Sequence, residues 1–179
     1  WGEVVKNAAK VAATAVAAVG TAVAAVGGAV VAGGKALVEA AGDVSAYGEE
    51  VDKASQRVGF STDSFQRWNY AMEMCGTSMS ESEAGIKALT NSIDDAINGS
   101  TSAADKFKTL GISVDDLKNM SREEVFEAVV KGLQGVDDET RKAALAVDFF
   151  SRSGMNMIPM LNESEESLAG LLQEAEDYG

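Results

Sequence analysis

"SREEVFEAVVKGLQG", residues 121–135, decides what kind of chain this is. Ser121 followed three residues later by Glu124 is a capping box, in which a hydroxyl accepts from an orphan first-turn amide and a carboxylate reaches back to the cap's own N–H. Val125, Phe126, Val129, Val130 and Leu133 then fall at helical spacing, which predicts one apolar face turned inward. The same pattern repeats on both sides of this stretch. Ser61, Thr62 and Asp63 open a segment with Phe65, Trp68, Met72 and Cys75 spaced 3, 4, 3, and Gly76 ends it. Ser80 with Glu83 reads as a capping box before Ile86, Leu89, Ile93 and Ile97, and Asn98-Gly99 closes that helix.

A helix over about 101–110 carries Phe107 and Leu110 and stops at Gly111, and Ser113 with Asp116 starts a turn or short helix. A helix over about 137–152 is expected to bury Ala144, Leu145, Val147 and one of Phe149 or Phe150, ending near Gly154. After the connection "MNMIPMLN", a last helix over about 163–177 carries Leu168, Leu171, Leu172 and Ala175. Pro159 is the single proline, and no segment alternates with period two. The chain is predicted all-α, and residues 59–179 hold enough apolar stripes for one small helical body.

Residues 1–58 read differently, as one long Ala/Val/Gly-rich helix. "VAATAVAAVGTAVAAVGGAVVAGG", residues 11–34, has no charge. Val16, Val19, Val23, Val26 and Val30 are spaced 3, 4, 3, 4, and the seam continues through Leu37, Val44, Val51 and Val58. Beside it, Gly20, Ala24, Gly28 and Ala32 form a small-residue ladder that lets helix backbones approach closely. Three expectations stay open. A helix of this kind, roughly 85 Å long, can be a strand of a coiled coil. Equally, 24 residues reach roughly 36 Å, enough for a hydrocarbon core, with Lys6, Lys10 and Lys35 at the ends. Val and Ala make that span marginal, so it is a latent transmembrane helix, and a flexible linker is the third alternative.

Charge and composition exclude several functions. The chain carries 15 Lys/Arg against 28 Asp/Glu, a net −13 made up of +1 over residues 1–34 and −14 over residues 35–179. So acidic a body repels phosphate, and tight nucleic-acid binding is not expected. There is no histidine, which removes Ser-His-Asp and Cys-His nucleophilic sites, and the lone Cys75 forms no internal disulfide. Cys75 lies on an apolar stripe and reads as a core thiol. Asp94, Asn98, Gly99 and Asp105 match four positions of a calcium loop, but Ala96 occupies a ligand position and the flanking isoleucines keep the stretch helical. The adjacent acids Asp94-Asp95, Asp115-Asp116 and Asp137-Asp138 read as solvated caps. No catalytic residue, cofactor or metal is predicted, and the chain is not expected to be an enzyme. Trp1 opens mid-pattern, and the chain reads as a piece of a longer protein.

"MSREEVFEAVVKGLQGVDDETRKAALAVDFFSRSGMNMIPMLN", residues 120–162, resembles the phage tail tape measure protein family. The resemblance is carried by Glu123 to Phe126, by Thr140 to Ala146, by Phe149 to Gly154, and by Ile158 to Asn162. Upstream, "YGEEVDKASQRVGFSTDSFQRWNYA" at 47–71 and "IKALTNSIDDAINGS" at 86–100 look similar to further segments, so it covers about 47–179. Ser151 stands where that pattern has Gly, a departure expected to alter one helix end. The resemblance implies a mostly helical virion protein in the tail tube lumen or tip, the ruler on which tube subunits polymerise. It implies further copies of itself (a homotrimer), the tail tube protein, tail tip or baseplate proteins, and the host membrane during genome delivery as partners. It supplies no catalytic or ligand residue. Two other classes remain beside it: a membrane-inserting, pore-forming segment, and a helical protein-binding module.

Overall fold

The structure is a computed structural model and describes residues 46–178. Among these residues it is all-α. Residues 46–58 are helical (α1) and are followed by α2 (Thr62–Met74), α3 (Met79–Ile97), α4 (Thr101–Thr109) and α5 (Val114–Asn119). Then come α6 (Arg122–Gln134), α7 (Glu139–Phe150), a 3-10 turn over Ser151–Met155, α8 (Ile158–Leu161) and α9 (Glu165–Tyr178). Lys53–Asp177 form one compact unit. The last turns of α1 therefore belong to the body, six residues ahead of the boundary read at residue 59. The reason is packing: Ala54 and Val58 are buried, and the Thr90 hydroxyl donates to the carbonyl of Val58 at 3.1 Å.

Side chains start these helices and backbone geometry ends them. Ser61, Ser100, Ser113 and Ser121 accept from the amides of Ser64, Ala103, Asp116 and Glu124, and Asp138 accepts from Arg141 at 2.7 Å. At Ser113 and Ser121 the reciprocal arm is also made, from the cap N–H to Asp116 and Glu124. The start of α3 differs from the sequence reading. Ser78, not Ser80, is its cap, and the Ser78 N–H and hydroxyl both donate to Glu81. Glu83 instead pairs with Arg57 of α1 at 3.1 Å, because an α3 that begins at Met79 turns that carboxylate toward α1. At the C-terminal end of α1, Gly59 takes φ +77, so its N–H and that of Phe60 both return to the carbonyl of Ser55.

Helix α3 lies at the centre. Ile86, Leu89 and Ile93 are buried along it, and it packs against α2, α4, α5, α6, α7 and the 3-10 turn. Phe126 of α6 is the aromatic hub. Its ring meets Trp68 at 4.9 Å, Phe150 at 5.7 Å and Phe60 at 5.8 Å, all edge-to-face. Such pairs each add about 0.5–1.5 kcal/mol beyond area burial. A second pair, Phe107 with Phe149, ties α4 to α7 at 5.2 Å.

The inward face of α7 is a correction. The period predicts Ala144, Leu145 and Val147 inside, whereas Lys142, Ala146, Phe149 and Phe150 are the buried residues. Both phenylalanines are fully buried, and two large rings outweigh three smaller aliphatic groups in choosing the face. The helix also stops at Phe150. The connection "MNMIPMLN" is not a plain loop: it contains α8 and fully buries Met157 and Met160.

Candidate functional site

Of the predicted seam, Val51 lies among the described residues and is buried, as are Ala54 and Val58 on the same beat, while Tyr47 is 40% exposed. Val16, Val19, Val23, Val26, Val30, Leu37 and Val44 lie outside the described residues. So do the ladder residues Gly20, Ala24, Gly28 and Ala32, and the candidate span 11–34. No helix among the described residues is long and apolar enough to cross a membrane.

Several ionisable groups of the body have structural employment. Arg122 donates to both carboxylate oxygens of Asp94, at 3.1 and 3.4 Å, joining α6 to α3. That pairing uses the first acid of the calcium-like stretch, and Asp94 itself sits inside α3. Arg67 pairs with Glu176 at 2.6 Å, tying α2 to α9, and Glu123 accepts the Ser61 N–H at 2.6 Å. The ammonium of Lys142 donates to Asn162 at 3.0 Å, so its buried stem ends in a hydrogen bond that holds α7 to the end of α8. The thiol of Cys75 is pushed up by burial and then by the nearby Glu163 carboxylate, which disfavours the nucleophilic thiolate. Glu81 and Asp116 are held below the usual carboxylate range, chiefly by the hydroxyls of Ser78 and Ser113 and then by their amides.

Two shallow hollows flank α4 and α7. One, of about 500 Å³, is lined by Thr109, Leu110, Gly132, Val136, Asp138 and Arg141. The other, of about 420 Å³, lies between Thr101, Asp105, Lys106, Leu145 and Asp148. Both are open and mixed in polarity. No group of three or more metal-ligating side chains occurs among the described residues.

The unusual local geometry is an elbow after α7. Ser151 takes φ 55 and ψ −147, and it is the single non-glycine residue with positive φ among the described residues. This backbone region is nearly restricted to glycine, and a side chain there is strained by about 1–3 kcal/mol. Three residues on, Gly154 presses on α7 so closely that a Cβ would sit 2.1 Å from the carbonyl oxygen of Ala146. Gly85 of α3 admits the turn from the other side, with Met157 Sδ 3.1 Å from where its Cβ would be. Thr77 donates to the carbonyl of Asn156 at 2.8 Å, and Asn156 bonds Glu81. The sequence carried one signal near this elbow, the helix end expected at Gly154; the close approach of Gly154 to α7 left no local mark.

Comparison of the chain with protein-family models, curated proteins and solved structures gives no match.

Proposed function

We propose that this chain is part of a phage tail tape measure protein: a structural virion component that templates tail tube length and assists genome delivery through the host envelope. The observation that carries the reading is the ordered likeness of residues 120–162 to that family's segment, with the further likenesses at 47–71 and 86–100. Three features support it. The body is built of capped helices, several of its ionisable groups serve packing and capping, and the net charge is strongly negative. An acidic surface does not hold DNA in transit. In this reading the partners are further copies of the chain, three to a tail, the tail tube protein and the tip or baseplate proteins. The segment 11–34 meets the host membrane during infection.

The test is an in-frame deletion of residues 9–36, four heptads, from the phage gene that encodes the chain, followed by imaging of assembled tails. A helical ruler predicts tails shorter by about 42 Å. Unchanged length with failed genome delivery places the segment's work at the membrane. Normal length and normal infectivity together refute the reading.

A further inference from the structure

Asn98-Gly99 is the single Asn-Gly pair of the chain, and it stands at the corner where α3 ends and α4 begins. Asn98 is the C-cap of α3, with φ −81 and ψ 5, and Gly99 takes φ +99. Both residues are exposed. A Cβ built on Gly99 would meet nothing within 4 Å, so the outside of the turn is open space. The carboxamide of Asn98 has no hydrogen-bond partner among the described residues. Other asparagines of the body are held: Asn119 donates to Asp115, Asn156 donates to Glu81, Asn162 accepts from Lys142, and Asn69 is buried. A carboxamide loose in solvent, followed by a residue with no side chain to obstruct it, is one that the next backbone nitrogen can reach.

Three hydrogen bonds hold the corner closed. The Asn98 N–H returns to Asp94 and the Ser100 N–H to Asp95, both at 2.9 Å, and the Gly99 N–H reaches Ala96 at the longer 3.2 Å. Ser100 in turn caps α4, its hydroxyl accepting from Ala103 at 3.3 Å. For the Gly99 nitrogen to face Cγ of Asn98, ψ of Asn98 must leave its helical value. That rotation breaks the Gly99 and Ser100 bonds. Helix ends open in this way far more readily than helix interiors.

We propose that Asn98 is a site of spontaneous covalent modification, gated by opening of the α3–α4 corner. The Gly99 nitrogen attacks Cγ of Asn98, an N–Cγ bond forms, and the Cγ–Nδ2 bond breaks. The Gly99 amide proton leaves with the departing amine as ammonia. Water then opens the cyclic imide at either carbonyl, giving aspartate or isoaspartate, and nothing is oxidised or reduced. Either product puts a negative charge at the carbonyl end of α3, where the helix dipole opposes it, one turn from Asp94. Isoaspartate also adds a methylene to the backbone, so Ser100 cannot keep both its bond to Asp95 and its cap on α4. Phe107 of α4 meets Phe149 at 5.2 Å, so a displaced α4 loosens the core beside α7. The modification is a slow, one-way loosening of this corner. It stands on the turn geometry, independently of the tail reading.

The experiment ages the whole chain in mildly alkaline buffer and maps it by peptide mass, with isoaspartyl methyltransferase reading the isomerised product. Asn98 is expected to convert well ahead of Asn91, which is exposed on the same helix but followed by Ser92. Conversion in the folded chain should be slower than in guanidinium by about ten- to thirtyfold, the weight of two hydrogen bonds. Ser100→Ala removes the cap that opening would sacrifice, and should speed Asn98 by about fivefold while Asn91 keeps its rate. The aged chain should melt below the fresh one, and Asn98→Gln aged alongside should not. The proposal is overturned if Asn98 converts no faster than Asn91, or if folding leaves its rate unaltered. It is equally overturned if Ser100→Ala speeds both asparagines alike, or if the aged parent and aged Asn98→Gln melt alike.

Discussion

Gly154→Ala tests the elbow most directly, because the new methyl has nowhere to go. Its Cβ would lie 2.1 Å from Ala146 O, 2.4 Å from Ala146 C and 2.8 Å from Val147 N, all backbone atoms of α7. Reaching ordinary contact requires the turn and the helix to part by about 1 Å, and packed interiors do not yield that freely. Parting them strains Phe149, Phe150 and Met157, which are fully buried on either side of the turn. Overpacking typically costs about 1–3 kcal/mol, and the upper end applies because backbone cannot rotate aside as a side chain does. Replacing glycine restricts the unfolded chain and returns about 0.4–1 kcal/mol. The net expectation is a loss of about 2–3 kcal/mol, or a fall in Tm of roughly 10 °C. Gly170 on α9 is the control: a Cβ there meets nothing within 4 Å, so Gly170→Ala should gain up to about 1 kcal/mol. Paired urea and thermal melts followed by circular dichroism measure both. If Gly154→Ala melts within about 0.5 kcal/mol of the parent, the close approach is wrong, and with it the elbow geometry.

Phe126→Ala removes the ring that Phe60, Trp68 and Phe150 share, and should lower stability by about 3–5 kcal/mol, read as a shift in urea midpoint at unchanged slope. Acid should weaken the body through its caps. Glu81 and Asp116 have depressed folded pKa values, so they stabilise above their unfolded pKa and lose that contribution as pH falls through the folded one. Stability is therefore expected to be retained at neutral pH and to decline below about pH 4–5. The double variant Glu81→Gln with Asp116→Asn should show a shallower decline in pH-dependent melts, and an unaltered slope would count against these caps as the source.

Where helices begin and end was written locally. Ser61, Ser113, Ser121 and Gly59 act within a turn of their own position, through hydrogen bonds and backbone angles that need no distant partner. For the same reason Phe65, Trp68, Ile86, Leu89, Phe126 and Leu133 could be assigned to the core from spacing alone, and they are buried. The cap of α3 was misplaced by two residues because Ser78, Ser80, Glu81 and Glu83 offer overlapping boxes, and only the pairing of Glu83 with Arg57 distinguishes them. On α7 the period defines a broad stripe, and which edge of it turns inward depends on rings arriving from α4 and α6. The ion pairs Arg122–Asp94 and Arg67–Glu176 join residues 28 and 109 positions apart, beyond any local reading.

By itself, then, the sequence determined an all-α body, most of its caps and most of its core, since capping and periodicity are short-range physics. Tertiary structure alone decided the inward face of α7, the strained Ser151 and the contact of Gly154 with Ala146. These follow from several elements competing for the same interior space, where close packing settles each conflict only when all of them are present.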